Sequence, residues 1–474
     1  MKYIALIFVA IWLSIVHVSA QFVSEMIEYH PAPGQLINTE GAGSFEAARS
    51  VIGSTDGLVS LGAYGGNVVY RFDKPVVNDP KNPYGVDFVI FGNPQSDWAE
   101  PGIVMVMKDQ NKNGKADDTW FELAGSDYFF STTDHKFSIV YNNPHSSASA
   151  DVLWASSDSR TGSIFSNSFH KQDYFPSKEF FDWNISDTVS FLGTLISDEV
   201  DFSVPSFIKS YQRKFGYADN IIRKNSNYNL PDNPYTAEIE GCGGDAMDIG
   251  WAVDAAGNYV DLDQIDFVKI YTGVLANAGW MGEISTEVCG IADVPSNSSL
   301  KGVNKCLVVN YVPNKLFSGE TYQLEANAFQ KGRILNEAKI SWSVDNNQIA
   351  SVNESGLLEL KKNGALIITA SLATDPTVST SLNVDIISPT TIEIVLESGT
   401  IRIDEETEIK ALVKDGSQNI LSGIETQWTV QDNGVLSLTE KNGKYYIRGL
   451  NEGNCLLEVS LKNKPALKTA MNVS

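Results

Sequence analysis

Positive charge is in deficit: 35 Lys and Arg stand against 58 Asp and Glu in 474 residues, a formal charge of −23. A surface of that sign repels nucleic acid and anionic lipid at long range and suits solubility and cation binding, so a nucleic-acid function is excluded. Histidine is scarce at five residues, and His30, His135, His145 and His170 form neither a metal-spaced pair nor a zinc-protease motif. Four cysteines, Cys242, Cys289, Cys306 and Cys455, match no zinc pattern. No nucleophile-elbow serine occurs, and Ser206 and Lys209 have serine-lysine spacing without the motifs that accompany it in lactamase-type enzymes. No catalytic residue is assigned. Past residue 16 no apolar run is long enough to cross a bilayer, so the chain is not expected to span a membrane. A sustained 3.6-residue apolar period is also missing, except at 45–51 and 207–215, which are expected to be short helices.

At the N-terminus, Lys2, an apolar run over 4–16 and Val18-Ser19-Ala20 ahead of Gln21 have the form of a cleaved signal peptide. The chain is therefore expected to be exported, to the cell surface or beyond, with residues 1–20 removed near Ala20. Export permits disulfides, and Cys242 and Cys289, which bracket one compact segment, are the expected pair. Cys455 lies in a strand-like run and reads as a small buried hydrophobe.

Short alternating or β-branched runs fill the rest, among them 67–72, 87–91, 103–107, 267–271 and 365–370, each bounded by Gly, Pro, Asn or Asp. An all-β chain follows. Composition shifts near 293–304, and behind that point the sequence repeats: Ile340-Ser341-Trp342-Ser343-Val344 is answered by Thr426-Gln427-Trp428-Thr429-Val430, and a strand after Gly364 by one after Gly453. The expected organisation is a β-sandwich module over 21–297, then immunoglobulin-like sandwiches over 305–388 and 389–474, with Trp342 and Trp428 as core residues.

The first repeat resembles the bacterial group 2 immunoglobulin-like domain, through Gly319-Glu320-Thr321-Tyr322-Gln323-Leu324, Trp342-Ser343-Val344-Asp345-Asn346 and Ile349-Ala350-Ser351-Val352. The second keeps Trp428 and Gly453 but lacks the Ile-Ala-Ser-Val stretch. The N-terminal segment resembles exported surface proteins of the Bacteroidetes. That likeness rests on Ser60-Leu61-Gly62-Ala63-Tyr64-Gly65-Gly66, Gly85-Val86-Asp87-Phe88-Val89-Ile90-Phe91-Gly92-Asn93, Glu100-Pro101-Gly102, Gly243-Gly244-Asp245-Ala246-Met247-Asp248-Ile249-Gly250-Trp251, and Gly279-Trp280-Met281-Gly282-Glu283. The resemblance implies a jelly-roll-like sandwich at the cell surface and no particular reaction.

The sharpest chemical signal is Asp109-Gln110-Asn111-Lys112-Asn113-Gly114-Lys115-Ala116-Asp117-Asp118. Oxygen side chains at positions 1, 3 and 5, glycine at 6 and a carboxylate at 9 are what a calcium loop needs, with the carbonyl of Lys115 as backbone ligand. Position 12 is Trp120 instead of the EF-hand glutamate, so Asp117, Asp118 or a distant residue such as Glu100 must complete the shell. The alternative is an acidic Asn-Gly hairpin. A second acidic group comprises Asp245, Asp248, Asp254, Asp261, Asp263 and Asp266. Within it Asp254 and Asn258 suit a turn, while Asp248 is either a buried acceptor of backbone N–H groups or a ligand.

Candidate ligand contacts are Trp98, Trp280 and Glu283, since exposed indoles offer flat faces to sugars. The expected function is non-catalytic binding or adhesion, stabilised by calcium, towards a surface glycan or another small ligand. Two alternatives stand beside it. One is a calcium-dependent polysaccharide hydrolase or lyase, which needs Glu283 or Glu287 across a groove from Asp97 or Glu100. The other is capture of a nutrient such as a corrinoid for an outer-membrane uptake receptor.

Overall fold

The computed structural model describes residues 21–474 except 179, 182–185, 203, 205, 223–230, 239–242, 422, 442–443 and 463. Residues 1–20, where a signal peptide is expected, and Cys242 lie outside the described residues, and so does the pairing expected of Cys242.

The chain is all-β. In the N-terminal module one sheet runs Val23–His30, Asn67–Val77, Gln264–Thr272, Gly102–Met107, Trp120–Leu123 and Ala252–Val253, with Tyr217–Ala218 attached to the Gly102–Met107 strand. Its pairs are antiparallel and its neighbours are mostly not consecutive in sequence, the winding that closes sandwiches by long crossovers. A second sheet runs Thr188–Leu195, Asp134–Asn142, Val152–Ser156 and Thr161–Ile164. Alternation decides which side chains turn inward: Phe137, Ile139 and Tyr141 of the second sheet share one buried cluster with Val68, Tyr70, Val104, Val106, Val268 and Ile270 of the first.

Of the two expected helices, Phe45–Ser50 forms, with the Ala47 N–H donating to the Ser44 side chain as N-cap. Residues 207–215 do not form one. Lys209–Ser210 instead pairs with Val200–Asp201, and Arg213 is drawn into the interior by two carboxylates. Tertiary pairing overrides the short apolar period there.

Behind the module, Trp342 and Trp428 occupy matching places. Trp342 on Ile340–Val344 faces Ala370 of Gly364–Leu372, and Trp428 on Thr426–Val430 faces Val459 of Cys455–Leu461. Trp428 is buried in the final cluster with Cys455, whereas Trp342 is only partly buried beside Leu358 and Ile368. Cys455 is indeed a small buried core residue.

The first repeat does not stand off from the module. Its sheet of Lys305–Val309, Ala326–Gln330 and Arg333–Ile334 packs on the module, and Cys306 and Phe329 join the buried cluster of Trp251. The Trp251 indole N–H donates to the Lys331 carbonyl at 3.1 Å, and Arg333 Nε donates to the Gly250 carbonyl at 2.7 Å. Gly332 has φ +69°, and a Cβ there would lie 2.0 Å from Trp251 Nε1, so both backbone angle and space require glycine.

Candidate functional site

The Asp109–Asp118 motif forms the connection between Gly102–Met107 and Trp120–Leu123, whose register pairs Met107 with Trp120 and Met105 with Glu122. It is far longer than a two-residue turn. Asp109 Oδ1 and Oδ2 accept the N–H groups of Asn113 (3.1 Å) and Gly114 (2.8 Å). Asn111 Oδ1 accepts the Asn113 N–H at 3.0 Å, and Asn113 Oδ1 accepts the Lys115 N–H at 2.8 Å. Asn113 Nδ2 reaches both oxygens of Asp117, at 3.1 and 3.0 Å, and Asn111 Nδ2 reaches one at 3.3 Å. Asp109 is thus wrapped by the backbone of the turn, and Asn111 and Asn113 present their amide nitrogens to Asp117, while Gly114 turns the chain at φ +73°. Asp118 takes no part in the bonds to Asp117, since its Oδ2 accepts the Gln110 N–H at 2.9 Å.

Glu100 is not available to the loop. It precedes Gly102–Met107 and the loop follows that strand, a separation of about 20 Å at the usual rise. The distant carboxylate that does reach the loop is Asp266, which accepts the Asp109 N–H at 2.8 Å. The rest of the second acidic group disperses. Asp245 accepts the N–H groups of Asn220 and Ile221, Asp261 pairs with Arg333, and Asp263 pairs with Lys108. Asp254 takes the turn role expected of it, accepting the Ala256 and Asn258 N–H groups. Asp248 proves to be a buried acceptor of the Gly250 N–H at 2.6 Å, and burial pushes its pKa up to about 7.

Glu100, Asp219 and Glu287 instead form a sealed group, with carboxylate oxygens within 4.8 Å of one another. Asp219 accepts the N–H groups of Asn93 (2.9 Å) and Glu287 (2.8 Å), Glu100 accepts that of Ser285 (3.2 Å), and Glu100 and Glu287 hydrogen-bond each other. Burial drives all three carboxyl pKa values upward. Contact inside the core is the opposite of two carboxylates facing each other across an open groove, the arrangement that polysaccharide cleavage requires.

Trp98 is partly buried, hydrogen-bonds Glu100, and packs with Met281 on the cluster of Ile103, Ile208 and Tyr271. Trp280 is 48% exposed and can present a face to a ligand. Glu283 cannot. At 2% exposure its Oε1 accepts the Gln35 N–H (2.7 Å) and its Oε2 has no partner, so burial, contrary to the expectation, keeps it from contacting a ligand at the surface. Burial raises its pKa to about 8. A carboxyl raised in the folded state contributes stability that is complete below its unfolded pKa near 4.3 and is lost as pH rises through about 8. Glu283→Gln keeps the acceptor and removes the proton requirement. The variant is therefore expected to match the parent near pH 4 and to exceed it by about 1–2 kcal/mol at pH 8.5, after allowing for local relaxation. Denaturant titrations at the two pH values check this, and an equal difference at both refutes it.

A cleft of about 410 Å³ opens between the two sheets, a volume in the range of small-molecule sites. The large sheet contributes Asn67, Met105, Glu122, Lys269 and Tyr271, and the small sheet contributes His135 and the segment 189–194. Thr194 ties the walls together: its hydroxyl donates to Glu122 Oε2 (2.7 Å) and its N–H to the Tyr271 hydroxyl (2.8 Å), while His135 Nδ1 lies 3.4 Å from that Thr194 hydroxyl. Burial lifts the Glu122 pKa to about 7 and lowers those of Lys269 and His135. None of these residues is signalled by a local motif. The one legible trace is the charge of Glu122 and Lys269 on the strand face opposite Leu123, Val268 and Ile270.

Among the described residues no helix is long and apolar enough to cross a membrane. No family model and no curated protein matches the sequence. Solved structures are similar over parts of the chain. The Escherichia coli adhesin FdeC is 16% identical, the match covering 44% of this chain and 77% of that one at a TM-score of 0.23. Domains 5–6 of the S-layer protein SbsC are 17% identical over 36% of this chain and 97% of that one, with a TM-score of 0.17. The Yersinia pseudotuberculosis adhesin InvE is 13% identical over 36% and 58%, with a TM-score of 0.19. Scores this low carry no argument about function.

Proposed function

We propose that the chain is a non-catalytic, calcium-stabilised binding protein of the cell surface, directed at a glycan or another small ligand. One observation supports this above the rest. A loop whose Asp109, Asn111, Asn113 and Asp117 side chains are tied to one another or to the loop's own backbone stands at the tip of the hairpin that carries Met105 and Glu122 into a cleft of small-molecule size. Turning the Asn111 and Asn113 amides so that oxygen faces Asp117 converts the ring of side chains into a hard-cation cage. The Lys115 carbonyl, Asp118 or Asp266 by way of water would complete six to eight ligands. The cation would also relieve the repulsion between Asp109 and Asp117 and pin the two strands beside the cleft.

Millimolar calcium is expected to stabilise the mature chain over the same chain in chelator by about 2.7 kcal/mol at a hundredfold excess over Kd. In a module of this size that is a rise in melting temperature of roughly 5 °C. Asp109→Ala with Asp117→Ala should abolish the rise. Identical melting in chelator and in calcium would reduce the motif to an acidic hairpin. A glycan array read with and without calcium then identifies the ligand.

A further inference from the structure

The cleft between the two sheets contains a cation without a counter-ion. Lys269 lies in its wall, partly buried, and among the described residues its ammonium has no hydrogen bond and no carboxylate within 4.0 Å. Glu28 acts on it only through space, while lying 4.0 Å from His30 at the cleft's edge. The position is set by sheet register: Lys269 faces Val69 on one side and Met105 on the other, and Met105 faces Glu122, so a lysine and a carboxyl stand two strand spacings apart on one rung, about 10 Å between backbones. Asn67, 6% exposed, lines the same wall. Its Nδ2 is spent on the Gly65 carbonyl (3.0 Å), and its Oδ1 is buried with no donor. A partly buried ammonium without a paired carboxylate is poised to gain from a bound anion. Phe191 and Val189 supply apolar wall between these polar groups.

We propose that this cleft binds a small carboxylate that also carries hydroxyl groups, an acidic sugar being the simplest case. The carboxylate pairs with Lys269, and Glu122, held by Thr194, receives or donates a hydroxyl hydrogen bond at the far end of the rung. The inference rests on the binding reading of the module and not on its calcium loop.

The test is calorimetric titration of the full mature chain with D-glucuronate, with D-glucose as the uncharged counterpart, and with an oligosaccharide ending in glucuronate, each in chelator and in calcium. Glucuronate is expected to bind at least about tenfold more tightly than glucose, because the two differ by one charge-assisted contact. Lys269→Met, which keeps the stem and removes the charge, should bring glucuronate down to the level of glucose. Lys269→Arg should retain most of the difference and controls for folding. Preference for the oligosaccharide over free glucuronate assigns the site to a glycan end, and the reverse assigns it to a free acid. Equal binding of glucuronate and glucose, an unchanged affinity in Lys269→Met, or no binding of any probe at about 10 mM overturns the proposal. Failure of the calcium effect alone leaves these arms readable, since each is also run in chelator.

Discussion

Trp251→Ala is expected to destabilise the protein by about 3–5 kcal/mol, the range for emptying a fully buried large aromatic site. The indole is completely buried, its ring centroid lies 5.0 Å from that of Phe215, and Phe215 in turn lies 5.2 Å from Phe329 of the first repeat. The substitution thus removes the keystone between the module and the sheet of residues 305–334, and it also leaves the Lys331 carbonyl without its donor. The expected signature in calorimetry is a lowered main transition, with residues 305–388 melting apart from the module. Trp428→Ala serves as the control, because Trp428 is buried in the last cluster with Leu457 and Val459 and should lower the transition of the C-terminal unit alone. If Trp251→Ala leaves a single transition within about 1 kcal/mol of the parent, the interface is not a structural joint.

Arg213→Met is expected to cost a comparable 3–5 kcal/mol, and its cost should depend on pH. The Arg213 side chain is 1% exposed, with Nε 3.0 Å from Asp127 and Nη1 2.8 Å from Glu199, and it donates further bonds to the carbonyls of Tyr211 and Ser197. Burial raises the pKa of both carboxyls, Glu199 to about 7, although the guanidinium opposes the rise. Without Arg213 both move higher still. Stability from a raised carboxyl is present below its unfolded value and is lost as pH climbs through the folded one, so the penalty is largest near pH 8 and shrinks towards pH 5. Melting curves of parent and variant at those two pH values should diverge on the alkaline side. A constant difference would show that packing, and not the ion pairs, dominates at this position.

Much of the β architecture was legible because alternation is a local property. The runs at 67–72, 103–107 and 267–271 all fall within strands of the large sheet, and that at 365–370 within Gly364–Leu372. The pairing of Trp342 with Trp428 across the repeat likewise survives as equivalent strand positions. Residues 207–215 misled for the same reason in reverse. A two-turn apolar period is weak beside two buried ion pairs and a strand pairing whose partners, Asp127, Glu199 and Val200–Asp201, all lie outside the segment. Glu283 misled because a carboxylate in a glycine-rich turn next to Trp280 has the pattern of a surface loop, and only the packing of Gly34 and Gln35 over it removes it from solvent.

The loop at 109–117 and the cleft mark the limit between the two kinds of knowledge. In the loop the side chains that bond one another and the turn's own backbone come from nine consecutive residues, so local spacing and one glycine determine its shape. The cleft draws Asn67, Glu122, His135 and Lys269 from four strands in two sheets. Those residues become neighbours only through strand order and register, and a shift of one residue in any strand would turn its contribution to the opposite face. Tertiary structure alone decided that this lysine and this carboxyl share a wall.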